Sequence, residues 1–172
     1  MRTLYCKSKD SFIDLLRPLF SELNSLYWVA ATQSRWLRYD WIGSAQEAEV
    51  LERWCHPVPA FDGKEMALWR PGALSALDGN LVFDEWSYFV GFRAIDADAA
   101  DRATRLGLSR FFSPEFYNLL AREGQLFIVH VDGWWEFCPA SPELFARIKD
   151  SAPCREIAPR SAGVIDWTPK FV

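Results

Sequence analysis

Two apolar runs, residues 126–131 and 134–138, meet at Asp132-Gly133 in the stretch QLFIVHVDGWWEFC. A two-residue type I′ turn needs positive φ at both central positions, which Asp-Gly supplies readily. The stretch therefore predicts a β-hairpin, and counting outward from the turn predicts its register. Val131 falls opposite Trp134, His130 opposite Trp135, Val129 opposite Glu136, Ile128 opposite Phe137 and Phe127 opposite Cys138.

Successive strand side chains point to opposite sides. One face then carries Leu126, Ile128, His130, Trp135 and Phe137; the other carries Phe127, Val129, Val131, Trp134, Glu136 and Cys138. Neither face is polar, whereas a hairpin wet on one side alternates apolar with polar residues. Both faces are thus expected to be covered, one by the two flanking helices and the other by a helix at 12–20, or else one apolar face is left free for a partner. Glu136 stands apart, because an unpaired buried carboxylate costs several kcal/mol. It requires an Arg or Lys from this chain or another, or water, so its face is expected to be partly open.

The flanks are equally legible. SPEFYNLLAREG (113–124) offers Ser113 as N-cap, Pro114 at the first helical position, Glu115 near the positive end of the dipole and Gly124 past the last turn. SPELFARIKDS (141–151) repeats this start with Ser141, Pro142 and Glu143. Residues 114–150 read as helix, hairpin, helix. Upstream, TLYCK (3–7) and SLYWVAATQ (25–33) read as strands. Asp10 or Ser11 caps an amphipathic helix that Pro18 must kink or split. SAQEAEVLERWC (44–55) carries a capping box, CHPVPAFDGK (55–64) reads as a loop, and DADAADRATRLG (96–107) as an exposed helix. NLVFDEWSYFVGFRAI (80–95) reads as one long strand or a strand pair, with Gly91 marking a bulge or a close backbone approach. The tail after about 153 is expected to be largely irregular, pinned by Ile165, Trp167 and Phe171. The 172 residues fit a single α+β domain, 1–172, with an antiparallel sheet.

Chemical motifs are sparse. The four cysteines are spread out with no C-x-x-C pair, and only His56 and His130 add imidazoles, so neither a metal site nor a disulfide framework is expected. Asp84 and Glu85 are adjacent and point to opposite strand faces, which prevents them from acting on one atom. Phosphate-cradling glycine runs are missing, and no cofactor is expected. A net charge of −4 argues against nucleic acid, which needs a basic face. No run reaches the roughly 18 apolar residues needed to span a bilayer, and MRTLYCKSKDSF lacks the core of a signal peptide. The expected place is the cytoplasm.

What exceeds the ordinary is the ring content: 13 Phe, 9 Trp and 5 Tyr, or 16% of residues. Rings anchor interfaces as well as cores. Trp134 and Glu136 beside the turn at Asp132 combine an aromatic anchor with acid, and DEWSYF offers a second combination in Asp84, Glu85, Trp86 and Tyr88. The function expected is binding without catalysis, on an acidic, aromatic surface that captures another protein, a basic one. An immunity- or inhibitor-type protein that blocks a toxin has this composition, since acidic complementarity speeds capture of a basic target. The alternative is an enzyme or small-ligand binder with an aromatic-lined pocket, using Cys55, His56, His130 or Glu136. A deep site uniting His130, Glu136 and Cys138 would favour that alternative.

Overall fold

The computed structural model describes residues 2–32, 55–61, 64–77, 87–93, 98, 102, 113–131, 133–160 and 168–172. Its strands are β1 (Thr3–Cys6), β2 (Tyr27–Thr32), β3 (Cys55–Phe61), β4 (Lys64–Trp69), β5 (Ser87–Phe92), β6 (Gly124–Val131), β7 (Trp134–Pro139) and β8 (Arg155–Ile157). They form one sheet in the order β3-β4-β2-β5-β6-β7-β1-β8, every pair antiparallel. With the helices described below, this is a mixed α+β architecture.

The pairs β6 makes with β7 are those counted from the Asp-Gly turn, from Val131↔Trp134 to Phe127↔Cys138. Gly133 has φ +80°, the left-handed conformation the turn requires. β5 and β1 extend the sheet on either side, so the hairpin sits inside it.

Two apolar layers follow from the alternation. On one face Leu4, Cys6, Trp28, Ala30, Trp69, Phe89, Leu126, Ile128, Trp135 and Phe137 pack against the N-terminal helices and the last helix. The N-terminal stretch breaks at Pro18 as its chemistry demands: α1 (Phe12–Leu15), a 3-10 turn (Arg17–Leu19) and α2 (Phe20–Asn24). Ser11 caps α1, its hydroxyl accepting from Asp14 N–H at 3.1 Å. The short α3 (Ala73–Leu77) adds Ala73 and Leu74 to this layer. On the opposite face Val29, Tyr88, Val90, Phe92, Phe127, Val129, Val131 and Cys138 pack against α4 (Pro114–Arg122) through Phe116, Leu119 and Leu120.

The helices beside the hairpin therefore do not share a side. α4 covers one face, while α5 (Pro142–Ser151) joins the N-terminal helices on the other through Leu144, Phe145 and Ile148. Both begin with the Ser-Pro-Glu grammar: Ser113 Oγ accepts from Phe116 N–H and Ser141 Oγ from Leu144 N–H, each at 3.1 Å.

Other departures from the sequence reading have physical causes. CHPVPAF is a strand rather than a loop: β3 pairs with β4 and, among the described strands, stands at the end of the sheet, the position in which a strand tolerates proline. The tail is not uniformly irregular: β8 pairs with β1, and Ile157 forms a bridge to Phe171. Gly91 has both expected roles. The β5–β6 register shifts between Gly91 and Phe92, and a Cβ on Gly91 would lie 3.0 Å from Leu26 Cδ1 and 3.1 Å from the Trp28 ring. The helix expected at 44–55 lies outside the described residues except for Cys55. The helix expected at 96–107 also lies outside them, apart from Asp98 and Arg102. Among the described residues no helix is long and apolar enough to cross a membrane.

Candidate functional site

The face of β7 that carries Trp134, Glu136 and Cys138 is the place to look for a site. α4 covers it over β5 and β6, and the chain leaving β8 crosses it over β7. Arg160 on that crossing segment reaches Glu136: Nε donates to Oε2 at 2.7 Å and Nη2 donates to Oε1. Trp134 Nε1 donates to Oε1 at 3.2 Å, and Tyr117 Oη on α4 donates to the Arg160 carbonyl at 2.8 Å. The side chains of Arg160 and Glu136 are 6% and 2% exposed. A fork-on-fork pair of this kind satisfies both carboxylate oxygens and removes the cost of burying the charge alone.

The face is therefore closed at Glu136, which corrects the expectation that it stays partly open there. Of the partners the sequence permitted, the one present is an arginine of the same chain. Tyr88 is also internal at 7% exposure, and burial raises its phenol to about 12. Of the binding candidates with described side chains, Trp134 keeps an edge in solvent while Glu136 and Tyr88 are buried. Asp132, Asp84, Glu85 and Trp86 lie outside the described residues.

Among the described residues, His130 does not converge with Glu136 and Cys138. His130 stacks on Trp135 with ring centroids 4.2 Å apart, and both belong to the opposite face from Glu136 and Cys138. Burial pushes the Cys138 thiol up to about 11, outweighing the opposing effect of Thr3 Oγ1, which donates to its sulfur at 3.6 Å, so the thiolate needed for nucleophilic attack is scarce. The side chains of Cys55 and His56 lie outside the described residues. Among the described residues no group of three or more His, Cys, Asp or Glu side chains is placed to hold a metal ion. A cleft of about 330 Å³ between the start of α5 and α4 is lined by residues including Arg2, Tyr117 and Phe145, not by any of the proposed chemical groups. Arg2 is already engaged there, bonded to both Glu156 oxygens and lying 3.8 Å over the Phe145 ring.

Beside the closed pair, a line of rings reaches the surface. Tyr5 stands with its centroid 6.0 Å from that of Trp134 and 5.5 Å from that of Phe171, edge to face with the latter. Arg155 lies 3.8 Å over the other end of the line, at Phe171. Phe171 and Val172, 46% and 89% exposed, are the exposed large apolar side chains among the described residues. Sequence reasoning gave Trp134 and the pinning role of Phe171, but missed Tyr5, Tyr117 and Arg160. Tyr5 shares a face with Glu136 through the β1–β7 pairing Tyr5↔Glu136, a contact between opposite ends of the chain. No protein-family model, curated protein or solved structure matches this chain.

Proposed function

We propose that the chain acts as a single protein-binding domain without catalysis, and that it meets its partner through the Trp134–Tyr5–Phe171 line of rings. The observation that carries this reading is the concentration of exposed apolar surface at Phe171 and Val172, directly beside two partly exposed rings. Trp and Tyr at the centre of a contact, freed of water by neighbours, supply most of the energy in many interfaces. Within the domain, the helix–hairpin–helix stretch 114–150 supplies the Trp134 end of the line.

The partner is a basic protein, on the net charge of −4. Asp132, two positions before Trp134 in the chain, and Asp84, Glu85 and Trp86 are proposed as further acidic and aromatic contacts from the sequence alone, since they lie outside the described residues. An immunity- or inhibitor-type protein acting in the cytoplasm on a toxin is the specific form of this reading, because opposite charge speeds encounter. Glu136 serves it from inside by accepting from Trp134, and Tyr88 belongs to the buried layer against which Trp134 packs.

The test is affinity capture from the source cells with wild type and a Trp134→Ala/Phe171→Ala variant. Both rings keep part of their surface in solvent but also pack inward, so circular dichroism is used to confirm that the variant folds. The reading predicts a basic protein captured by the wild type at least tenfold better than by the variant, since two lost anchors cost about 2 kcal/mol or more. Equal capture of the same proteins by both would remove the ring line from the interface.

A further inference from the structure

Cys6 and Cys154 stand 148 positions apart in sequence, yet the sheet sets them side by side. The β1–β8 pairs are Thr3↔Ile157, Leu4↔Glu156 and Tyr5↔Arg155, and one further step in this register places Cys6 opposite Cys154. Antiparallel pairs alternate between hydrogen-bonded and non-hydrogen-bonded positions. The Glu156 carbonyl accepts from Val172 N–H at 3.3 Å, so its backbone groups point away from β1. Leu4↔Glu156 is thus a non-hydrogen-bonded position, and so is the position two residues on, Cys6↔Cys154. The Cys154 N–H agrees, since it donates to Ala152 O at 2.7 Å instead of to β1.

At such positions the Cα atoms of antiparallel partners approach to about 4.5 Å, inside the separation a disulfide spans. Both side chains are on the same face. Cys6 is buried in the layer beneath the N-terminal helices, and Cys154 packs against that layer while keeping part of its surface in solvent. The two thiols are also near enough to act on each other's titration.

We infer that Cys6 and Cys154 form a cross-strand disulfide under thiol-oxidising conditions, and that this bond staples β8 to β1. What it secures is more than a three-residue strand. The last residues of the chain pair with the outer edge of β8, through Ala158 N–H to Lys170 O at 2.9 Å and the bridge Ile157↔Phe171. In the reduced protein this corner is held by β8's few ladder bonds, the exposed Arg2–Glu156 pair and ring contacts. The covalent link makes it continuous with the buried part of the sheet.

The chemistry balances with a small-molecule disulfide such as oxidised glutathione. Cys154, the partly exposed partner, gives its proton to solvent and attacks one glutathione sulfur, breaking the glutathione S–S bond and expelling the first glutathione thiolate. Cys6 then loses its proton and attacks the Cys154 sulfur, expelling the second. Two protein thiols are oxidised, one glutathione disulfide is reduced to two thiols, and the two protons end on those thiols. Burial raises both protein thiols, Cys154 to about 12, so the exchange proceeds in minutes to hours, not seconds.

The experiment incubates the full chain with oxidised glutathione, blocks remaining thiols, and maps tryptic peptides without reduction. The expected product is monomeric protein in which fragment 3–7 is linked to fragment 150–155, absent from a Cys154→Ser variant and retained in a Cys138→Ser variant. Its Tm rises by about 5–10 °C over the reduced protein, and reductant reverses the rise. A map holding only glutathione adducts, links through Cys55 or Cys138, or links between chains would overturn the inference. So would a Cys6–Cys154 link that leaves the Tm unchanged.

Discussion

A carboxylate 2% exposed, on a sheet face shared with Val129 and Phe127, is tolerable because Arg160 neutralises it with two hydrogen bonds and Trp134 adds a third. The need for a cation was legible in the sequence, from the alternation that puts Glu136 on an apolar face. Its identity was not, because Arg160 follows 24 residues later in a stretch without periodicity. Gly91 was legible for a different reason: a glycine within an apolar strand signals that something passes close by. Gly91→Ala places a methyl 3.0–3.1 Å from Leu26 and Trp28 and is expected to destabilise by about 1–3 kcal/mol in chemical denaturation. An unchanged midpoint would mean the neighbours yield freely. Titration belongs to this scale as well. Cys138 is raised to about 11, and Cys154 and Tyr88 each to about 12, from ordinary values of 9.0 and 10.0. The folded state therefore keeps these protons after the unfolded chain has lost them. Their stabilising effect is full below about pH 9 and is lost as pH rises through 11 to 12. The Tm is expected to hold up to about pH 9 and then fall, with a shallower fall for Cys138→Ala. A parallel decline in that variant would remove Cys138 as a cause.

Elements with strong local grammar were read directly from sequence. The Ser-Pro-Glu openings at 113 and 141 cap α4 and α5, and the register of β6 against β7 follows from one turn. Which face each helix covers did not follow, since the same cap serves a helix folding to either side. Ser113→Ala and Ser141→Ala should each cost about 1 kcal/mol. Because α4 and α5 lie on opposite faces of the sheet, the double variant should lose the sum. Equilibrium unfolding of the three variants checks this, and strong non-additivity would mean the helices are coupled through the sheet. The missed strands have a shared lesson. β3 carries Pro57 and Pro59, residues that argue against a central strand yet are harmless at an edge, and the Asp62-Gly63 pair after it is the same turn signal as Asp132-Gly133. β8 has only three residues and takes its partner from the first strand, so nothing within its own neighbourhood marks it.

Across the whole molecule, the two ends of the chain meet on the hairpin. β1 inserts between β7 and β8, the segment after β8 closes the face over Glu136, and the final residues return to β8. That arrangement converts the Trp134–Glu136 cluster from an open charged surface into a buried pair with a ring line beside it. The candidate site was thus half legible: Trp134 by local pattern, its neighbours Tyr5 and Arg160 by contacts that only the fold creates. The central claim is that Arg160 and Glu136 form one buried unit that fastens the crossing segment to β7. A double-mutant cycle with Glu136→Leu and Arg160→Met, read by chemical denaturation, tests it most directly. Each single variant strands a buried charge and should lose about 3–5 kcal/mol, while the double variant, with neither charge, should be more stable than either single. Losses that simply add in the double variant would contradict the claim.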